Sequence, residues 1–283
     1  LPLHSKDILI LRPGYALSMK RIHLLLPMLL LLLAGCSTVA GTGRSQMNIV
    51  STEQERELGE EAFQEATAGA TIIDTGKQAK MVRRIGSRIV EAAEILYPSS
   101  NAEEYDWTFV LIDDNEVANA WAAPGGKVAV YTGILPITET EAGLAVVVAH
   151  EIAHVLAHHS AEQLSHALVM NGVTTAGGAV LGGSDSRTRE MAMQVMGVGG
   201  QYGVALPFSR LHEEEADELG LFLMAEAGYD PREAIVVWER MAAAQEKRPP
   251  EFLSTHPNPE NRIEEFRELM PEAMELYENT KSP

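Results

Sequence analysis

His150-Glu151-Ile152-Ala153-His154 is the densest piece of chemistry in the chain. Residues four apart on a helix share a face, so both imidazoles can meet one metal ion, with Glu151 beside any water held there. Two neutral imidazoles and a carboxylate, with one position left for water, suit zinc in a hydrolytic site. Cys36 is the only cysteine, so a thiolate cage is excluded and the remaining ligand must be His or a carboxylate. Arg210-Leu211-His212-Glu213-Glu214-Glu215-Ala216-Asp217 is the richest source. Glu213 and Asp217 are again four apart. Glu213 is read as the third ligand, and Asp217 as the acceptor that fixes the tautomer of a ligand imidazole. His212 competes as a ligand, although its place on the helix aims it elsewhere, and Glu214 points about 100° away toward solvent. With zinc polarising a carbonyl, Glu151 is the candidate general base, taking a proton from water and passing it to the leaving amine.

A second group lies near the C-terminus, in Ser254-Thr255-His256-Pro257-Asn258 with Arg262. His256 is a candidate catalytic donor to the developing oxyanion. It can also be read as filling the fourth zinc position at rest, or as a loop histidine packed beside Pro257. Asn258 and Arg262 can orient it or balance charge. Asn119 and Ala120 are candidate substrate-binding residues, because Val117 to Ala122 reads as an edge strand that an extended polypeptide can join through its backbone. His158, His159 and His166 follow the motif and are read as structural or solvated.

These residues need elements to position them. Ala142 to Ala149 is nearly all apolar, so the motif emerges from a buried helix, where charged groups need a reason. Thr138 and Glu141 match a capping box that opens this helix, which is expected to run to about His166. Helices are also predicted over Thr52–Ala68, Lys77–Tyr97, Glu213–Ala227, Pro231–Glu246 and Pro259–Tyr277. Trp107–Ile112, Val117–Ala122 and Val128–Thr132 read as strands, with Pro124-Gly125-Gly126 as a turn. Residues 171–207, rich in Gly, Ala, Met and Val, are expected to form a flap over the cleft with a short helix inside it. The fold class is therefore α+β, mostly helical with a small β-sheet and an active-site helix carrying the motif.

At the other end, Met19-Lys20-Arg21 precedes a leucine-rich run to Leu33 and then Ala34-Gly35-Cys36. A short basic region, an apolar stretch and small residues make a secretory signal over 19–35, too short to span a membrane comfortably. Residues 1–18 are then read as an over-extended start, 36–50 as a tether and 51–283 as the folded domain. Leu33-Ala34-Gly35-Cys36 resembles a bacterial lipobox, which implies lipidation of Cys36 and a membrane anchor; an ordinary signal peptide is the alternative. Ser37 at the next position implies, by resemblance to envelope lipoproteins, a periplasmic protein anchored to the outer membrane. The net charge of −18 argues against nucleic acid as a partner.

The two metal motifs together resemble the gluzincin pattern, HExxH followed by ExxxD on a later helix. Their wording is similar to the metallopeptidase family that includes the CaaX-prenyl protease, HtpX and the mitochondrial Oma-type proteases. Asn119-Ala120-Trp121-Ala122-Ala123-Pro124-Gly125-Gly126, Ser209-Arg210 with Glu213-x-Glu215-Ala216-Asp217, and Ser254-Thr255-His256-Pro257 with Arg262 carry the same likeness over about residues 45–275. The lipobox makes the chain most similar to the periplasmic lipoprotein members. The resemblance implies a zincin-like domain with one zinc ion. Its substrates would be unfolded or misfolded envelope proteins, cut in quality control. A zinc-binding periplasmic chaperone or outer-membrane assembly factor with little turnover is the alternative.

Overall fold

The structure is a computed structural model that describes residues 36–170, 186–195, 207–245, 250–257 and 261–281. Two short strands, β1 (Cys36–Thr38) and β2 (Ser45–Met47), flank a tight turn closed by hydrogen bonds from Val39 N–H to Arg44 O and from Gly43 N–H to Val39 O. Helix α1 (Thr52–Thr67) follows, with a true capping box between Ser51 and Gln54. Helix α2 (Gly76–Leu96) buries one face, Val82, Ile85, Ile89 and Ala93, as its apolar spacing requires. Pro98 and a left-handed Asn101 then turn the chain through two 3₁₀ turns.

The main sheet has strand order β3-β5-β4, from β3 (Thr108–Ile112), β4 (Ala120–Ala123) and β5 (Lys127–Tyr131). β5 is central. It runs parallel to β3, with Thr108 opposite Lys127, and antiparallel to β4, with Ala120 opposite Val130. β4 starts later than its sequence suggested. The residues before it are committed elsewhere: Ala118 O accepts from Phe252 N–H, and the backbone carbonyl of Val117 packs on Gly133.

The motif helix departs from expectation at both ends. Thr138 does not cap it; Thr138 closes a single turn, α3 (Leu135–Thr138), and Glu139 adopts a left-handed φ of 57°. The cap is Thr140, whose side chain accepts from Gly143 N–H at 2.8 Å. Glu141 does not reach back to Thr138; it pairs with Arg84 across to α2. At the other end, α4 (Glu141–Leu156) stops well before His166. His158 takes a left-handed φ of 54° and donates from its ring to Glu55, so the chain bends and restarts as α5 (His159–Met170).

Helix α4 is buried from Gly143 through Leu156, packed between α2 and α7 (Arg210–Glu226). Side chains all round such a helix must be apolar or fully partnered. Gly220 lets α7 approach: a Cβ there would lie 3.1 Å from His150 N. Ser209 caps α7 through His212 N–H, and Gly228, at φ 75°, follows its end. Helices α8 (Glu233–Gln245), α9 (Phe252–Thr255) and α10 (Arg262–Thr280) complete that side.

Of the stretch read as a flap, the described residues are α6 (Ser186–Val195) and Pro207, and α6 packs Ala192 and Met193 on Leu164 and Leu168 of α5. The remainder of that expectation, like the signal segment, lies outside the described residues. Among the described residues no single helix is long and apolar enough to cross a membrane; the apolar run of α4 is core. The fold is α+β and mostly helical, as read from the sequence.

Candidate metal centre

Helix α4 presents His150 and His154 one turn apart, with their Nε2 atoms 3.1 Å from each other. Helix α7 crosses beneath and brings Glu213, which is fully buried. Its Oε2 lies 3.5 Å from His150 Nε2 and its Oε1 3.4 Å from His154 Nε2. The short α9 delivers His256 to the same point, its Nδ1 3.2 Å from His150 Nε2 and 3.1 Å from Glu213 Oε1. One ligand atom from each of His150, His154, Glu213 and His256 falls within 4.8 Å of the others. The three sequence-assigned metal residues therefore converge, and His256 joins them from 43 residues beyond Glu213.

Asp217 stands one helical turn past Glu213. Its Oδ1 accepts from His150 Nδ1 at 3.0 Å, which leaves Nε2 free to face the centre. Its other oxygen accepts from Arg262 Nε, while Arg262 Nη2 donates to Glu213 Oε2 at 2.8 Å. The guanidinium also lies 3.7 Å over the Trp238 ring. A buried arginine so placed balances two buried carboxylates and fixes their rotamers.

Glu151 is buried, and the backbone N–H of Ala122 in the edge strand β4 lowers its carboxyl slightly. Its Oε1 makes no aligned hydrogen bond among the described residues, although His256 Nε2 lies 3.3 Å away. Burial raises the Glu151 carboxyl above its ordinary range, partly offset by His256 and His150. Burial would raise Glu213 too, but His256, with hydrogen bonds from His150 and His154, outweighs it and holds the carboxyl well below the usual range. For His150, burial works against the cation, yet Asp217 and Glu213 overcome it and push the imidazole up to about 9. Burial keeps His154 well below its ordinary value, hence neutral and able to donate a lone pair.

The residues fit zinc. Three imidazoles and one carboxylate match its ligand preference, the carboxylates favour positive charge at their meeting point, and two ligand imidazoles have their far nitrogens engaged.

The other candidates are placed as follows. Asn119 is buried, with Oδ1 accepting from Ala120 N–H at 2.9 Å and its backbone O from Tyr131 N–H at 3.0 Å. The Ala120 side chain is buried in β4, so these two residues are engaged within the protein itself. His212 turns from the centre to Glu162 Oε2, at 3.1 Å. His166 is exposed. His158 bonds Glu55, as a structural histidine would.

His159 is more than that. It is fully buried, with its Nδ1 2.7 Å from the Nδ1 of His154. In one continuous helix a residue five positions on lies about 140° round from His154, and helical spacing therefore hid the contact. The bend at His158 brings the ring back. Glu215, Glu162 and Arg44 were missed for a related reason: their meeting depends on three elements distant in sequence.

Residues 77–270 match the model of peptidase family M48. The chain belongs to that family. Among its relatives, the mitochondrial metalloendopeptidase OMA1 of Schizosaccharomyces pombe is 34% identical over 82% of this chain, and that of Saccharomyces cerevisiae 36% identical over 70%. The beta-barrel assembly-enhancing protease of Escherichia coli (strain K12) is 29% identical over 81%. This M48 chain spans 66%, 58% and 46% of those three proteins. The family is a zinc metallopeptidase family, which accords with the His-rich donor set built here.

Proposed function

We propose that this M48 chain is a zinc-dependent endopeptidase of the bacterial cell envelope that cuts unfolded or misfolded proteins. The observation that carries the chemistry is the convergence of His150, His154 and Glu213 beside a buried, raised Glu151. His150, His154 and Glu213 would hold the ion, and Asp217 would fix the tautomer of His150. Zinc, when bound, supplies Lewis-acid polarisation of the scissile carbonyl and acidifies water. Glu151 Oε1 accepts the proton of the attacking water as its oxygen bonds the carbonyl carbon. It returns that proton to the amine nitrogen as the C–N bond breaks. A carboxyl raised by burial is suited to both halves of that transfer.

His256 decides the resting condition. Its Nδ1 faces the metal residues and its Nε2 faces Glu151, so it stands where water and carbonyl must enter. This favours a latent resting state over an oxyanion donor in place: α9 has to withdraw before substrate can bind. Ala122 N–H, aimed from the β4 edge at Glu151, is where an extended substrate would run.

The envelope location, the anchor through Cys36 and the placement at the outer membrane rest on the lipobox resemblance and on likeness to the Escherichia coli relative, whose name speaks of β-barrel assembly. The mitochondrial relatives carry the peptidase reading but not that location.

The test uses the full chain in detergent, loaded with zinc, against a reduced and alkylated globular protein, with Glu151→Gln and His256→Ala alongside. Cleavage by the parent, or by His256→Ala alone, with none by Glu151→Gln and unchanged zinc content, supports the proposal. Stoichiometric zinc with no cleavage in any form would replace it with a zinc-binding chaperone or assembly factor.

A further inference from the structure

A chain of contacts leads away from His154 and ends in the segment just after Cys36. His154 directs Nε2 to the centre, so a neutral ring carries its proton on Nδ1. That Nδ1 is 2.7 Å from His159 Nδ1. His159 must accept there, and its own proton is then on Nε2. His159 Nε2 lies 2.9 Å from Glu215 Oε2 and can only donate to it. Glu215 accepts from Arg44 Nε at 2.8 Å through the same oxygen, and from Thr42 Oγ1 through the other. Both Nη atoms of Arg44 are spent on Glu162, at 3.1 and 2.7 Å, and Glu162 in turn accepts from His212. From His154 to Glu215 each donor meets an acceptor, and with Nε2 of His154 turned to the centre the tautomers of both imidazoles are fixed.

The residues are not surface decoration. His159 is 0% exposed, and the side chains of Glu162 and Glu215 are 6% and 4% exposed. Two carboxylates so deeply buried require a cation, and Arg44 is the one that bridges them. The planar fork meets one carboxylate with two nitrogens and the other with its third, which lysine cannot do.

We propose that His159, Glu215 and Arg44 are positioning residues for His154, so that the segment following Cys36 is a working part of the metal centre. The proposal rests on the reading of His154 as a zinc ligand. Arg44 acts at two removes: it fixes Glu215, which holds the His159 tautomer, which holds the ring of His154 with Nε2 turned toward Glu213 and His150. A chain end expected to be a tether is thereby coupled to the strength of metal binding, and a disturbance that pulls residues 42–44 from their seat loosens the ion.

The experiment measures zinc transfer to excess chromophoric chelator from the full chain in detergent, well below each protein's thermal midpoint. The visible spectrum of the cobalt-substituted protein is the second readout. Glu215→Gln keeps the shape and removes the charge; Arg44→Ala sits at the rim of the fold. Both are expected to release metal about 10–100-fold faster than the parent and to shift the cobalt bands. Arg267→Ala, which removes an exposed ion pair to Glu264, is expected to do neither. Parent-like release and spectra in both Glu215→Gln and Arg44→Ala overturn the proposal. If Glu215→Gln does not fold, Arg44→Lys decides: faster release with a preserved thermal midpoint supports the fork, and unchanged release overturns it. Failure of the underlying reading looks different, since the parent would then bind no zinc or His154→Ala would bind it equally well.

Discussion

His150 and His154 leave the same helix one turn apart, yet they are braced in opposite ways. His150 donates straight to a carboxylate, Asp217, and that brace ends on Arg262, which is 1% exposed and comes from the C-terminal helix. His154 rests on a second imidazole, and only beyond it on a carboxylate, Glu215. Its brace ends on Arg44, 17% exposed, in the N-terminal turn. One brace is short and closed inside the core; the other is relayed and ends at the rim. Helix α7 supplies both carboxylates, two residues apart, and so couples the two ends of the domain to one pair of ligands. The short brace also touches Glu213 through Arg262, so losing it strips support from two ligands at once.

The comparison is broken outright by removing a ligand. His150→Ala and His154→Ala are each expected to lose zinc and all turnover, read by elemental analysis and by cleavage of the unfolded substrate. A variant that kept stoichiometric zinc would show that the corresponding ring is not a ligand and has no brace to compare.

Next in size is the arginine contrast. Arg262→Ala leaves two buried carboxylates without their cation and is expected to cost about 3–5 kcal/mol of stability. Arg44→Ala, at the rim where water can enter, is expected to cost less than half as much. Chemical denaturation of the two proteins measures the difference, and equal losses would remove the distinction between closed and open braces.

The carboxylates are finer probes. Asp217→Asn and Glu215→Gln are each expected to weaken zinc binding by about 10–100-fold, with Asp217→Asn the greater because its contact is direct. A reversed order would mean that the relay transmits more than the direct bond.

The smallest effect is acid sensitivity of the open brace. Burial alone would raise the Glu162 carboxyl, but His212 and Arg44 prevail and hold it at about 2 in the fold, against an ordinary 4.5. A depressed carboxyl contributes stability in full above its unfolded value and loses it as pH falls from about 4.5 toward 2. Thermal midpoints between pH 6 and pH 3 should therefore fall less in Glu162→Gln than in the parent. Parallel curves would show that this ion pair adds nothing to stability.

The core of the centre was legible because its signals are local. His150, Glu151 and His154 declare themselves by helical spacing, as do Glu213 and Asp217, and the apolar run before them marks a buried helix. Helices α1, α2 and α7 were legible for the same reason, with Gly228 marking the stop of α7. The misreadings arose where backbone geometry outweighed a side-chain pattern. Thr138 and Glu141 have capping-box spacing, but Glu139 turns left-handed and hands the cap to Thr140. Nothing in the residues around His158 announces the bend that ends α4, because the bend is held by Glu55, 103 positions away.

By itself, the sequence determined the kind of chemistry: a zinc-fitting motif on a buried helix and a second acidic helix to complete it. Those are properties of spacing and residue type, which a helix imposes within a few turns. The tertiary structure alone decided that His256 closes on the metal residues, that Arg262 ties Glu213 to Asp217, and that Arg44 reaches His154 through Glu215 and His159. Each of these joins segments tens to more than a hundred residues apart. The physical reason is the same for all: buried charges must find partners wherever packing places them, and packing is settled only when the helices meet.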